Sequence, residues 1–178
     1  MMQARYARSV RILHWLLAVL ILLQLAFGWW VGELARNTPE RGYFINLHKS
    51  IGIVTGLLIL LRIYWRLTST APTLSIILAR WQQRLASASH LLMYLCLLVL
   101  PLSGYIASNF SRFGVKFFNT ITLAPWGPDD KGVYTFFNLL HSLSGWLLLA
   151  LVALHVLAAI GHGLRRDGIF FRISLWPL

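Results

Sequence analysis

The chain has 178 residues, of which 58% are hydrophobic and only 12% are charged, and its mean hydropathy is +0.68. This composition lies outside the range of an ordinary soluble domain and predicts that most of the chain lies in lipid. The net charge of +11 does not imply a nucleic acid partner, because basic loops of membrane proteins also contact anionic lipid headgroups.

The first predicted membrane span covers roughly residues 10–31 and follows three arginines, a pattern shared with signal peptides. No small-residue cleavage site follows this apolar run, which ends at Phe27, Gly28 and two tryptophans. His14 also lies inside the run. We therefore expect a retained helix, with the tryptophans in the membrane interface.

Three further apolar stretches are long enough to cross a bilayer, at residues 44–67, 86–109 and 136–163. The four spans predict one all-α domain over residues 1–178, an integral membrane four-helix bundle. The connection 68–85 is either a short amphipathic helix in the interface or a plain apolar linker, and the linker is favoured. The longest connection, 110–135, is rich in proline and glycine and predicts turns, either as a cover for a site or as a simple loop.

Cys96 is the one cysteine in the sequence. A single cysteine excludes an internal disulfide, a cysteine-ligated iron–sulfur cluster and the covalent attachment of a c-type haem. Any haem would therefore be held noncovalently, and we expect Cys96 itself to serve packing.

The distribution of charge predicts the orientation of the bundle. Four spans place both termini on one side, which carries ten arginines: Arg5, Arg8, Arg11, Arg62, Arg66, Arg80, Arg84, Arg165, Arg166 and Arg172. The one acid on that side is Asp167, whereas the other side holds six cations against four acids. By the positive-inside rule, both termini are expected in the cytoplasm.

His141 and His155 lie fourteen residues apart in the fourth span. Fourteen residues return to nearly the same helix face about 21 Å further along. One helix can therefore present an imidazole near each membrane surface, and imidazole is a common axial ligand of haem iron. The spacing predicts two haems in series across the bilayer and hence a transmembrane electron conductor.

The outer level of the predicted bundle contains two histidines, His48 and His141, which we expect to share one haem. Gly52 and Gly56 follow His48 on its helix face, and Gly145 follows His141. A flat macrocycle between helices needs such gaps in the side-chain layer. The alternative is ordinary packing of small residues between helices, with Gly52 and Gly56 forming a GxxxG pair.

The inner level contains more histidines than one haem requires: His14, His90 and His155, with His162 about two turns nearer the cytoplasm. Gly28 lies fourteen residues beyond His14, and Gly104 lies fourteen beyond His90. Either helix therefore offers an imidazole at one level and a gap at the other. The spacing leaves both His14 and His90 open as the partner of His155.

Four sequence features, which together span nearly the whole chain, resemble the bacterial cytochrome b561 family: Ile12-Leu13-His14-Trp15, Leu47-His48-Lys49-Ser50-Ile51-Gly52, His90-Leu91-Leu92-Met93-Tyr94, and His141 with His155. The resemblance implies a bacterial inner-membrane protein with two b haems. In that family the helix-one histidine pairs with the second histidine of helix four. Carried over, this pairs His14 with His155 and His48 with His141.

Ligation by two histidines fills both axial positions of the iron, which favours electron transfer over oxygen activation. Haem propionates need cationic or hydrogen-bonding partners. Arg62, fourteen residues beyond His48, is predicted to face the inner site, although a snorkelling arginine is the alternative. Lys49 is predicted to serve the outer haem in the same way.

The resemblance also implies a reaction, because some members of the family oxidise superoxide and reduce ubiquinone. Outer cations would steer the superoxide anion, and the candidates are Lys49, Lys116, Arg112 and Arg41, with a solvated rim as the alternative. Three inner polar groups remain after ligation and are the expected quinone contacts: His90, His162 and Tyr94.

Two rival functions remain from the sequence. One is a di-haem membrane subunit that passes electrons between quinol and a partner redox protein. The other is a membrane adaptor without redox chemistry, whose buried histidines only hydrogen-bond across the bundle.

Overall fold

The computed structural model describes residues 5–69 and 78–175. It contains four long helices: α1 (Arg8–Glu33), α2 (Pro39–Thr68), α3 (Arg80–Asn109) and α4 (Lys131–Arg165). All four are long and apolar enough to cross a membrane, which confirms the predicted four-helix transmembrane architecture. The choice between an interfacial helix and a linker depended on Leu74, Ile76 and Ile77, which lie outside the described residues.

Each helix begins earlier than its apolar run. The α2 helix starts at Pro39 after Thr38, whose side chain accepts a hydrogen bond from the Arg41 N–H. The Asp130 carboxylate accepts from the N–H groups of Gly132 and Val133, at 2.8 and 3.0 Å, and starts α4 ahead of the predicted residue 136. Hydropathy identifies the part of a helix that lies in lipid, whereas polar caps determine where α2 and α4 begin.

Two buried clusters join the helices in pairs. Leu13 and Leu17 of α1 pack against Ile59 of α2. Cys96 of α3 packs with two leucines of α4, in agreement with its expected packing role. The most extensive backbone contacts are between α3 and α4, whereas α4 approaches α1 and α2 less closely. The backbones of α1 and α3 also make few close contacts, as do those of α4 with α1 and with α2.

The connection between α3 and α4 contains a small hairpin that the sequence did not predict. Strands β1 (Val115–Phe117) and β2 (Ile121–Leu123) pair antiparallel. Phe118 and Asn119 form the turn with positive φ angles of 45° and 58°. Asparagine tolerates this conformation, but phenylalanine rarely adopts it, so the turn lacks the usual Asn-Gly signal.

The hairpin and the residue before it are attached to the first half of α2. The Lys49 ammonium donates to the Gly114 carbonyl at 2.8 Å, and the Phe118 N–H donates to the Ser50 hydroxyl at 2.7 Å. Ser50 is fully buried by this contact and itself donates to a backbone carbonyl of α2. The connection therefore packs over the end of the bundle that carries His48.

The C-terminal segment covers the opposite end of the bundle. It forms a short 3₁₀ helix, Phe170–Arg172, and receives three hydrogen bonds from the N-terminal region: Tyr6 N–H to Arg172 O at 3.2 Å, Arg11 Nη1 to Ser174 O at 2.7 Å, and Trp15 Nε1 to Ile173 O at 3.0 Å. The start of α1 and the segment after α4 therefore lie at the same end, as an even number of spans requires.

Candidate functional site

The outer histidines face each other across the gap between α2 and α4. The ring centroids of His48 and His141 are 6.2 Å apart and their planes are nearly perpendicular, at 84°. Because α4 stands off from α2, the two imidazoles approach without close contact between the helix backbones. The structure thus brings together the two outer histidines that the sequence predicted as a pair.

Each outer imidazole lies against a glycine of a neighbouring helix, on α1 for His48 and on α3 for His141. A Cβ atom on Gly28 would lie 2.8 Å from Cε1 of His48, and a Cβ on Gly104 would lie 2.8 Å from Nδ1 of His141. These distances are too short for any larger residue without movement of the rings. Gly28 and Gly104 thus occupy the outer level, fourteen residues from an inner histidine on the same helix.

The two outer imidazoles differ in their hydrogen bonds. His141 Nδ1 lies 2.7 Å from the Leu100 carbonyl oxygen. A carbonyl can only accept, so Nδ1 carries the proton and Nε2 of the neutral ring keeps its lone pair. His48 Nδ1 is buried and finds no hydrogen-bond partner among the described residues. The Gln24 amide instead donates to the backbone carbonyl of His48, at 2.9 Å.

At the inner level, His155 lies between two other histidines. Its ring centroid is 6.4 Å from that of His14 and 5.5 Å from that of His90. Within residues 5–69 and 78–175, no group of three or more histidine, cysteine, aspartate or glutamate side chains converges as a bare metal site would require. The histidines instead meet ring to ring, as pairs.

The ring spacings test whether a haem fits between the paired histidines. Metal–imidazole bonds are about 2 Å long and each ring centre lies about 1 Å behind its nitrogen, so two axial imidazoles on one iron have centres about 6 Å apart. The outer pair and the pair of His14 with His155 match this spacing. The distance from His90 to His155, 5.5 Å, lies about as near to this value, so ring spacing does not choose between His14 and His90. Neutral imidazole is also the appropriate donor chemistry for haem iron.

Arg62 lies beside the inner histidines. Its guanidinium lies close enough to His14, His90, His155 and Tyr94 to interact with each of them electrostatically. Its Nη1 also lies 3.5 Å from the Val10 carbonyl. Arg62, which periodicity placed at the inner level, and Tyr94, a predicted quinone contact, therefore lie in one polar cluster.

The three glycines predicted to line a haem slot face protein side chains. A Cβ atom on Gly52 would lie 3.4 Å from the Gln24 amide nitrogen, and a Cβ on Gly56 would lie 3.3 Å from Pro101. Gly145 faces leucine side chains of α1 and α3. These contacts are typical of close helix packing, which was the alternative role for the same glycines. A role beside haem stays a prediction.

The outer cations differ in exposure. Lys116, on β1, is exposed, and so is Arg112, whose guanidinium lies 4.9 Å from the centre of the Phe113 ring. Lys49 is half-buried and bonded to Gly114, and Arg41 donates to the carbonyls of Gly32 and Leu34 at the end of α1. Lys116 and Arg112 therefore present their charge to solvent more directly than Lys49 and Arg41 do.

His162 pairs with an acidic side chain beyond the end of α4 and not with the inner histidines. Its Nδ1 lies 2.5 Å from Asp167, just beyond the end of α4, and the other Asp167 oxygen accepts from the Ile169 N–H. Burial raises the pKa of the Asp167 carboxyl, but the hydrogen bonds from His162 and Ile169, with the nearby Arg165 charge, lower the pKa overall. The pair joins the last part of α4 to the turn that leads into the C-terminal segment.

Comparison with known proteins identifies the family. A model of the prokaryotic cytochrome b561 family matches residues 5–173. The chain belongs to the prokaryotic cytochrome b561 family. It is also 27% identical to cytochrome b561 homolog 2 of Escherichia coli (strain K12) over 158 residues, which cover 89% of this chain and 84% of the relative. Its identity to cytochrome b561 homolog 1 of the same organism is 21% over 170 residues, or 95% and 96% of the two chains.

Membership of the cytochrome b561 family implies a b-type haem and haem-based electron transfer across a membrane. It agrees with four helices that are long and apolar enough to span a bilayer, so the chain is a multi-pass membrane protein. The family resemblance expected from the sequence is thereby confirmed.

Sequence reasoning missed several residues around the histidines. The Gln24 amide and the Leu100 carbonyl each hold one of the outer histidines, and neither was predicted as part of a site. Gln24 had a detectable signal, since a polar side chain in the middle of an apolar span needs a partner. A backbone carbonyl carries no such signal in the sequence.

Proposed function

We propose that this chain conducts electrons across the membrane through two bis-histidine b haems, and that it oxidises superoxide at the outer side and reduces ubiquinone near the inner side. His48 with His141 would hold the outer haem, and His14 with His155 the inner one. The observation that carries the proposal is the arrangement of α4. Its two histidines, fourteen residues apart, each face an imidazole of α1 or α2 at about the same ring distance.

Haems ligated on both faces supply one-electron transfer without an open coordination site. Each superoxide gives up one electron and leaves as O₂. Two electrons and two protons convert one ubiquinone to ubiquinol. The protein would therefore admit an anion near its outer pair and a quinone and protons near its inner pair.

The outer surface suits an anionic donor. Lys116 and Arg112 are exposed on the connection that packs over the outer end of the bundle. Lys49 lies in the same region, one residue from His48, where its ammonium bonds a carbonyl of that connection. Exposed cations around a low-dielectric entrance raise the encounter rate of an anion. These three residues are the proposed entry groups.

The inner cluster suits a quinone. Tyr94 and Arg62 offer hydrogen-bond donors beside the proposed inner ligands, and His90 is not required for ligation in the proposed pairing. His90 and Tyr94 are therefore the proposed quinone contacts. His162 is a weaker candidate because it already bonds Asp167. Arg62 would hold a propionate of the inner haem.

The proposed orientation places both termini in the cytoplasm of a bacterial inner membrane. The arginine-rich side, which includes Arg11 and Arg66, is the end covered by the C-terminal segment. The hairpin and the exposed Lys116 would then lie in the periplasm, where superoxide would arrive.

A pulse of superoxide on the purified, oxidised protein tests this function. We expect rapid reduction of the haem spectrum, followed by reoxidation when ubiquinone is present. A control with superoxide dismutase added first should show neither change. Haem that stays oxidised would contradict superoxide oxidation and favour a di-haem subunit that exchanges electrons with quinol and a partner redox protein. Protein purified without haem would contradict the electron-transfer proposal itself.

A further inference from the structure

The two outer histidines are held in different ways, and the difference concerns the Nδ1 atom of each ring. His141 Nδ1 donates to the Leu100 carbonyl oxygen at 2.7 Å, across the interface of α3 and α4. His48 Nδ1 is buried without a hydrogen-bond partner among the described residues. One outer imidazole is therefore fixed through its ring, whereas the other is fixed through its backbone by Gln24.

Three features of α3 make the Leu100 carbonyl available. The next residue, Pro101, packs against α2 at Gly56, which places this turn of α3 inside the bundle. Gly104, one turn further on, has no side chain to hold the His141 ring away. The Leu100 carbonyl oxygen also accepts from the Ser103 hydroxyl of its own helix, at 3.1 Å, and the bond from His141, at 2.7 Å, is the shorter of the two. The interhelical bond thus needs no loss of helix structure.

We propose that the Leu100 carbonyl is a positioning group that sets the tautomer and ring plane of His141 and thereby lowers the reduction potential of the outer haem. A hydrogen bond from Nδ1–H to a strong acceptor makes the imidazole a more basic ligand. A more basic ligand stabilises ferric over ferrous iron. This inference rests on the proposed ligation of the outer haem by His48 and His141.

The reduced wild-type protein allows a direct test. Ferrous haem with two axial histidines is diamagnetic, so ¹⁵N-labelled histidine can be observed by NMR in the purified holoprotein. We expect Nδ1 of His141 to carry a proton that resonates further downfield than the Nδ1 proton of His48. Equivalent signals from the two rings, or an unprotonated Nδ1 on His141, would overturn the inference. Wild-type protein without haem would instead overturn the proposed function.

A variant tests the effect on potential. In Gly104→Ala the added Cβ would lie 2.8 Å from His141 Nδ1 and 2.9 Å from Cε1, so the ring must move away from the Leu100 carbonyl. We expect the midpoint potential of the outer haem to rise while that of the inner haem is unchanged. Gly161→Ala in α4 is the matched control, because its Cβ would meet nothing within 4 Å.

An unchanged outer potential in Gly104→Ala, with both haems bound, would contradict the positioning role. If the variant loses only its outer haem, the result supports the need for Gly104 beside His141. The NMR signals of the wild type then decide whether the carbonyl bond exists, so loss of haem leaves the inference testable.

Discussion

The outer and inner histidine clusters differ in what surrounds them. The outer cluster contains two imidazoles, each packed against a glycine, and a single ring hydrogen bond. The inner cluster contains three imidazoles together with Arg62 and Tyr94. One end of the bundle is shaped mainly by small residues, and the other mainly by polar side chains.

The two histidine clusters differ in the side chains that could transfer protons or bind a second ligand. Beside His48, the Gln24 amide and the Lys49 ammonium are already hydrogen-bonded to backbone carbonyls. The inner end has a guanidinium, a phenol and a third imidazole close together, which are groups that bind a carboxylate or a quinone and exchange protons. This contrast supports the proposal of electron entry at the outer end and quinone reduction at the inner end.

The largest expected effect comes from removal of a proposed ligand. His141→Ala should lose the outer haem and His155→Ala the inner haem, so each purified variant should hold about half of the wild-type haem. The pyridine haemochrome assay measures the ratio of haem to protein. Retention of the full haem content in either variant would refute the pairing.

His90→Ala separates the third inner imidazole from the ligands. Because the proposed pairing makes His14 the partner of His155, this variant should keep its full haem content. Ubiquinone reduction should slow by about tenfold or more if His90 assists proton transfer. Stopped-flow reoxidation of the reduced haems measures the rate. Loss of one haem would identify His90 as a ligand.

Lys116→Gln tests the steering of the anion at the outer end. We expect haem reduction by superoxide to slow by roughly tenfold or less at low ionic strength, because one exposed cation contributes part of the field. The deficit should shrink at high salt, where the charges are screened. Lys116→Arg keeps the charge and should react as the wild type does. A salt-independent loss would argue against steering.

Gly28→Ala tests the packing at His48. The new Cβ would lie 2.8 Å from the ring, and overpacking of this kind costs about 1–3 kcal/mol. We expect a lower unfolding temperature and weaker retention of the outer haem. Gly32→Ala in the same helix meets nothing within 4 Å and is the matched control. Equal behaviour of the two variants would show that the close approach is unimportant.

Asp167→Asn should have the smallest effect. A lowered carboxyl pKa means that Asp167 stabilises the fold above its ordinary pKa of 3.8 and loses this contribution as the pH falls through its folded value. The variant should therefore unfold slightly earlier than the wild type at neutral pH, and the difference should vanish in acid. Thermal unfolding at both pH values measures it. A difference that persists in acid would contradict the role of the ionised carboxylate.

Much of the architecture was predictable because it depends on long-range composition. Four apolar runs define the spans, and the fourteen-residue interval between His141 and His155 defines two levels. The hairpin was not predictable, since its strands have three residues each and its turn places Phe118 at positive φ. Such a turn is imposed by contacts with α2 and not by local preference.

The surroundings of the histidines were predictable only in part. Helical periodicity predicted the depth of Arg62 and of the outer pair in the bundle, because the rise per residue fixes how far apart two residues of one helix lie. It could not say which helix faces Gly52 or Gly56, since that depends on how the helices pack. The choice between His14 and His90 required a family resemblance, because both rings lie within similar reach of His155 and the pairing stays a prediction.

The most direct test of the central claim is the haem content of the purified wild-type protein, combined with its electron paramagnetic resonance spectrum. We expect about two haem b per chain, with two distinct low-spin ferric signals typical of bis-histidine ligation. A single low-spin haem, or high-spin iron with an open position, would contradict a chain that conducts electrons through two histidine-ligated haems.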